Sequence, residues 1–326
     1  MAVDIPNYRV VEKLGEGAQS RLFRARSMQN GKDYTVKIIK IAKPEDTTLL
    51  DLLKVEHTIG TAVDHPVIRK VYELRVLRQR FRVRGAILFM EYVPGIAMSE
   101  KDFRRSLRDV VKLFTEVSEG LHAMHHQGFV HADLKPNNII VTPDDLVKVI
   151  DLGQSARIRE AKTRVQGTID YMAPEQVARG ILDERTDVFG LGAALHRIVT
   201  GKAVATDMNQ QVTVHSQSLI GKRLTDGKDQ QDETLPTAMI KFLEDCCQHD
   251  PADRISNMGV VTERLKMIET ILESHANHDD DDFRTPLADE EVSEENKPRP
   301  DPLLEELGLV GPDDSIDLDG IIIDEE

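Results

Sequence analysis

His131-Ala132-Asp133-Leu134-Lys135-Pro136-Asn137-Asn138 is followed, behind a short predicted hairpin, by Asp151-Leu152-Gly153. The first stretch puts a carboxylate, an ammonium and an amide into one loop, and the second returns another carboxylate. Metal-assisted phosphoryl transfer from a nucleotide needs this set: a proton acceptor, a cation near the moving phosphoryl group, and hard oxygen ligands. A polar loop that merely contains two aspartates does not account for the order in which further motifs arrive along the chain.

The chain has 326 residues, enough for about two domains and a sizeable core. Cys246 and Cys247 are adjacent in an apolar stretch and read as reduced core thiols rather than a disulfide framework. No apolar run approaches the ~18 residues of a membrane span, and Met1–Val10 lacks a signal-peptide pattern. These features predict a soluble, cytoplasmic protein without a membrane partner.

The net charge of −15 is unevenly placed. Residues 279–326 hold 19 acidic and 3 basic side chains, a net of −16, which leaves 1–278 at +1. The acidic stretch is proline-punctuated and nearly free of aromatics, the composition of a segment that cannot bury enough surface to fold alone. Its charge disfavours direct binding to nucleic acid. Within it, Leu303, Leu304, Leu307 and Leu309 suit a short amphipathic helix on a partner. Ile321-Ile322-Ile323, flanked by acids, suits a strand or groove-binding peptide.

The near-neutral body divides by pattern. Strands are predicted at Tyr8–Glu12, Arg21–Arg26, Tyr34–Ile39, Val71–Leu77 and Ala86–Tyr92, interrupted by a helix near Thr48–Ala62. Beyond Pro94-Gly95 helix dominates. Phe103, Leu107, Val110, Val111, Phe114, Val117, Leu121 and Met124 recur at three- and four-residue steps, and Gly128 supplies the stop. A strand-rich lobe followed by a helical lobe is a two-lobed α+β arrangement.

In this order the motifs resemble those of a eukaryotic-type protein kinase domain, most closely the serine/threonine kinases of that type found in bacteria. The resemblance covers roughly residues 8–270. It implies the two-lobed protein kinase fold over 8–274, with an N-lobe of about 8–93 and a C-lobe of about 94–274, and an acidic tail at 275–326. It further implies ATP and Mg2+ as cofactors and protein serine or threonine hydroxyls as acceptors.

Residue by residue, the resemblance makes Leu14-Gly15-Glu16-Gly17-Ala18-Gln19-Ser20 the phosphate lid, with Ser20 replacing the third glycine and Leu22 the usual valine. Lys37 matches the strand lysine that contacts the α- and β-phosphates, and Glu56, on the predicted helix, its acidic partner. The stretch from Ile87 to Gly95 matches the hinge. There Met90 is the gatekeeper, Glu91 C=O and Val93 N–H meet the adenine, and Leu14, Leu22 and Ile140 pack the base under Thr35. Asp133 is expected to orient the acceptor hydroxyl and take its proton. Lys135, the serine/threonine signature, is expected to neutralise the γ-phosphoryl group. Asn138 and Asp151 are the expected magnesium ligands.

The stretch from Gly167 to Glu175 resembles the end of an activation segment, with Thr168 set to touch Asp133 and Lys135. Glu175 is expected to pair with Arg254, and Asp187 to brace the catalytic loop. Ala132 stands where an arginine usually receives an activation-loop phosphate, so the common charge-pairing switch loses its receptor. Thr163 and Ser155 remain as candidate phosphorylation sites, and Gly60 is expected to loosen its helix. Relatives that select upstream arginines use acidic residues at positions aligning with Ala97, Asn137 and Arg197, so arginine just upstream of the target is not favoured here and acidic sites become candidates. Ser293 and Ser315 in the tail are examples. Ser20, Ala132 and Leu152, as departures from the pattern, also suit a pseudokinase or ATP-binding scaffold that acts through its tail.

Overall fold

The computed structural model describes residues 5–17, 20–41, 48–79, 81–162, 165, 167–204, 235–276 and 322–325. Ala18, Gln19, Thr163, Ser293, Leu303, Leu304, Leu307, Leu309 and Ser315 lie outside them. The described residues fall into two compact units. One comprises the residues up to Leu50, Glu73–Tyr92 and the strand at 322–325; the other comprises Asp51–Tyr72 and the described residues from Val93 to Ala276.

The strand-rich unit is built on a sheet of β1 (Tyr8–Glu16), β2 (Ser20–Ser27), β3 (Asp33–Lys40), β4 (Val71–Gln79), β5 (Arg82–Glu91) and β11 (Ile322–Glu325). Its spatial order is β1-β2-β3-β5-β4-β11. Alternation in β2 and β3 sends Phe23, Ala25, Val36 and Ile38 inward, where Ile5, Leu77, Ile87 and Phe89 close a small core. On the polar side Asp33 bridges Arg24 at 2.6 Å and Arg26 at 2.7 Å. The sheet register sets Gly15 opposite Leu22, Leu22 opposite Lys37 and Lys37 opposite Leu88. One row of the sheet thereby carries three residues expected at the nucleotide.

β11 lies inside the stretch whose composition predicts that it cannot fold alone. It gains order as an added strand on a sheet that already exists, which requires no core of its own.

In the helical unit α1 (Thr48–Ala62) leads through Val67–Arg69 to β9 (Val147–Val149). There Val149 N donates to Val67 O at 2.7 Å and Arg69 N to Val149 O at 3.0 Å. α2 (Leu107–His126), α4 (Glu184–Thr200), α5 (Thr237–Cys246) and α6 (Met258–Ala276) enclose the larger core, joined by the single turn α3 (Pro174–Val177). Three short ladders complete the unit: β6 (Ile96–Ala97) on β8 (Ile139–Val141), β8 on β9, and β7 (Phe129–Val130) on β10 (Ala156–Arg157).

Two sequence expectations change here. The apolar periodicity starts at Phe103, but α2 begins at Leu107, because Ser106 Oγ accepts from Asp109 N at 3.1 Å and caps the helix. Phe103 is buried ahead of the helix, in the same core. Gly60 does not loosen α1. A Cβ built there would lie 2.2 Å from Val71 Cγ2, so the missing side chain is what lets α1 approach the start of β4.

Cys246 and Cys247 are free thiols. Burial, with Arg254 acting the other way, pushes the Cys247 thiol up to about 12. No helix among the described residues is long and apolar enough to cross a membrane.

His196 on α4 is buried, and its Nδ1 lies 2.9 Å from Lys202 O, so this nitrogen carries the proton and donates. Burial, with Arg197 adding to it, lowers its pKa from 6.5 to about 4. An unfolded histidine therefore binds its proton first as pH falls. Stability should decline between pH 6.5 and about 4 and level off below that, by up to about 3 kcal/mol from this group. Urea unfolding across that range should show a shallower slope in His196→Gln; an unchanged slope contradicts this assignment.

Candidate active site

The loop between β7 and β8 carries Asp133, Lys135 and Asn138 and is fixed mostly by its backbone. Ala132 adopts φ +60°, a left-handed conformation costing a non-glycine residue roughly 1 kcal/mol or more. Two contacts hold it there: Ala132 N donates to Asp187 Oδ1 at 2.8 Å, and Gln176 Nε2 donates to Ala132 O at 2.8 Å. Asp187, at the start of α4, also accepts from His131 N at 2.8 Å and meets His125 Nε2 at 2.7 Å, all of it buried. Burial works to raise the Asp187 pKa. The His125 hydrogen bond, the His125 and His131 charges and the Ala132 N–H outweigh it and hold the carboxyl below its ordinary value.

So braced, the loop presents a nearly buried Asp133 whose two oxygens face different partners. Oδ1 accepts from Thr168 N at 3.0 Å and from Thr168 Oγ1 at 3.3 Å. Oδ2 lies 3.0 Å from Lys135 Nζ and accepts from Asn138 Nδ2 at 3.3 Å. Lys135 Nζ also donates to Thr168 Oγ1 at 2.7 Å. The structure thus brings together Asp133, Lys135, Asn138 and Thr168. Close by, Lys162 donates to Gln154 O. Burial lowers its ammonium to about 8 against the opposing pull of Asp133, Asp187 and Glu160.

Asn138 spends its amide hydrogens on Asp133, with Nδ2 donating to Asp133 O at 2.9 Å, which leaves its carbonyl oxygen as the acceptor. Asp151 sits at φ +65° just beyond β9. A Cβ built on Gly153 would lie 3.5 Å from Asp151 Oδ1 and 3.7 Å from Glu56 Oε2, so the helix glutamate and the second motif's carboxylate flank one small space. Glu56 is fully buried and paired with Arg69, whose Nη2 is 3.1 Å from Glu56 Oε1. Sequence reasoning missed Arg69. Its signal was an Arg69-Lys70 pair between the apolar Val67-Ile68 and Val71, in a stretch the helix leads into.

In the strand-rich unit Lys37 is half-buried on β3, Thr35 and Met90 are buried opposite each other, and Leu14 is exposed. Gly17 N donates to Ser20 O at 2.8 Å, closing the turn that joins β1 to β2. Glu16 pairs with Lys13 and with Arg21, the latter at 3.1 Å. Glu91 ends β5 opposite Tyr34. In the helical unit Val93 is half-buried, and Ile140 on β8 faces Ala97 across the ladder.

Glu175 and Arg254 form a bidentate pair, 2.8 Å at each contact. The remaining Arg254 donors reach the carbonyls of Gln248, His249 and Arg185, and the guanidinium lies 5.0 Å from the Phe189 ring centroid. Ser155, expected as a phosphorylation candidate, is buried and donates to His131 O at 3.2 Å, so its hydroxyl belongs to the loop's support. Ala132 packs among Val130, Ala156 and Leu182.

The strand-rich sheet, the braced loop and the ion-paired segment after it are those of a protein kinase. The family model for the protein kinase domain matches residues 8–266, and the chain belongs to that family. It is 25% identical over 301 residues to a probable serine/threonine-protein kinase of Clostridium acetobutylicum, covering 89% of this chain and 44% of that protein. It is 28% identical over 206 residues to the serine/threonine-protein kinase PknB of Mycolicibacterium smegmatis, covering 60% and 32%. It is 27% identical over 279 residues to a serine/threonine-protein kinase of Myxococcus xanthus, covering 80% and 50%. The chain therefore spans half or less of the length of these relatives.

Breaking the Glu175–Arg254 pair strands a carboxylate and three carbonyl oxygens in a buried site. Arg254→Ala should cost about 3–5 kcal/mol in urea unfolding. A loss below about 1 kcal/mol would contradict the assignment.

Proposed function

We propose that the chain is an ATP-dependent protein kinase that transfers the γ-phosphoryl group to serine and threonine hydroxyls, its own included. The observation that carries this reading is the Asp133 carboxylate, held on one side by Lys135 and Asn138 and on the other by Thr168. An acceptor hydroxyl replacing Thr168 Oγ1 at Asp133 Oδ1 would be oriented by the carboxylate and lose its proton to it. Lys135, 3.0 Å from the same carboxylate, is within reach to neutralise charge on the transferred group.

Asn138 and Asp151 would hold Mg2+, which supplies charge neutralisation at the phosphates. An amide carbonyl and a carboxylate fit this hard cation, which takes few protein ligands and completes its shell with phosphate and water. Among the described residues no cluster of three or more His, Cys, Asp or Glu offers a metal site independent of nucleotide. Lys37, supported by Glu56, is assigned to the α- and β-phosphates. The backbone from Gly15 through Ser20 is assigned to covering them. Glu91 C=O and Val93 N–H read the adenine, with Leu14, Leu22, Thr35, Met90 and Ile140 around it. The reading makes the protein cytosolic and disfavours acceptor sites with arginine just upstream, which leaves acidic sites as candidates.

Purified chain with Mg-ATP and a generic protein substrate should transfer phosphate to serine and threonine, with sites mapped by mass spectrometry. Asp133→Asn should lower the rate by about 10²–10⁴-fold while a fluorescent ATP analogue still binds. ATP binding without transfer in the unaltered chain would make it a scaffold and overturn the proposal.

A further inference from the structure

The strand-rich sheet has a second use that phosphoryl transfer does not require. In the order β1-β2-β3-β5-β4-β11, the outer edge of β4 would stand open without β11. An open edge offers unpaired N–H and C=O groups to any extended chain. The β4–β5 hairpin beside it is strongly basic: residues 73–84 contain Arg75, Arg78, Arg80, Arg82 and Arg84 against a single acid, Glu73. Glu73 is engaged by Arg75 at 2.6 and 2.9 Å, and Arg75 stacks 4.5 Å from the Phe89 centroid, so the partnered charge lies at the root of the hairpin. Toward the tip Arg82 and Arg84 are exposed, and Phe81 is 98% exposed.

The strand on this edge supplies the extended chain, and its sequence carries charge of the opposite sign. Residues 321–326 read Ile-Ile-Ile-Asp-Glu-Glu, a β-branched run followed by three acids. Ile322–Glu325 runs antiparallel to β4, with Ile322 opposite Arg78, Ile323 opposite Leu77, Asp324 opposite Val76 and Glu325 opposite Arg75. One facing pair, Glu325 with Arg75, joins opposite charges, and Arg75 shares its charge with Glu73. The 45 residues between Ala276 and Ile322 could reach ~150 Å if fully extended, so length does not restrict the docking.

We propose that the β4 edge and its arginine-rich hairpin form a docking site for an acidic β-strand, and that segment 322–325 of the same chain is its occupant. The acidic stretch is then a tethered ligand of the strand-rich unit. An external acidic strand must displace it to bind, at a disadvantage set by the tether.

Hydrogen–deuterium exchange of the full chain tests this against two variants: Ile323→Pro, which fixes φ and places a ring inside the strand, and a deletion of 322–326. Amides within 71–79 should exchange at least about tenfold faster in both variants, while those of β3 stay unchanged. Protection should weaken with rising salt, as screening shortens the reach of the arginines. It should not depend on protein concentration. A synthetic peptide of residues 317–326 should restore protection to the deletion variant, and one with its acids changed to lysine should not. Identical exchange in all three proteins overturns the docking. Protection that grows with concentration overturns the same-chain occupant in favour of a second copy. Equal rescue by the lysine peptide overturns the charge recognition.

Discussion

Asp187 Oδ1 accepts the Ala132 N–H, and its Oδ2 accepts the His131 N–H while meeting His125 Nε2. One buried carboxylate at the start of α4 thereby fixes two successive backbone amides of the loop that carries Asp133. The left-handed backbone at Ala132 persists because this clamp, with Gln176 on the carbonyl side, over-determines it. The direction in which Asp133, Lys135 and Asn138 leave the loop follows from that backbone. The buried carboxylate stays ionised because three polar hydrogens replace the water it loses.

Chemistry and regulation separate at Ala132. The alanine side chain packs with Val130, Ala156 and Leu182, so the position supports the loop through its backbone and contributes no charge. The loop is held by Asp187, Gln176 and Ser155, none of which depends on an added phosphate. Ala132 itself offers no charged side chain through which a phosphate could grip the loop. Thr168, already bonded to Asp133 and Lys135, gives the activation segment a contact of its own instead.

Much of this was legible in the sequence because motifs at fixed order are a strong signal. The Glu175–Arg254 pair, the Asp187 brace and the gathering of Asp133, Lys135, Asn138 and Thr168 all follow from it. Alternation located the long strands of the sheet to within a few residues. The start of α2 was not legible from periodicity, since Phe103 falls in phase with the helix but packs ahead of it; Ser106 was the better guide. His125 and Gln176 escaped because nothing around them in the sequence marks a polar side chain that will be buried and paired, whereas Arg69 had only its apolar flanks as a sign. The strands of two or three residues around the catalytic loop are too short to show a period. Gly60 misled because a missing side chain permits either looseness or close approach, and only the position of Val71 decides between them.

The central claim is that the Asp187 clamp sets the geometry of Asp133, and Asp187→Asn tests it most directly. Asparagine keeps the volume but has one acceptor oxygen, so one of the two backbone N–H bonds must go. The account predicts a fall in kcat of about 10²-fold, the cost expected for displacing a reacting group by roughly an ångström, with nucleotide affinity unchanged. A variant that transfers phosphate at the unaltered rate would contradict it, even if its stability fell.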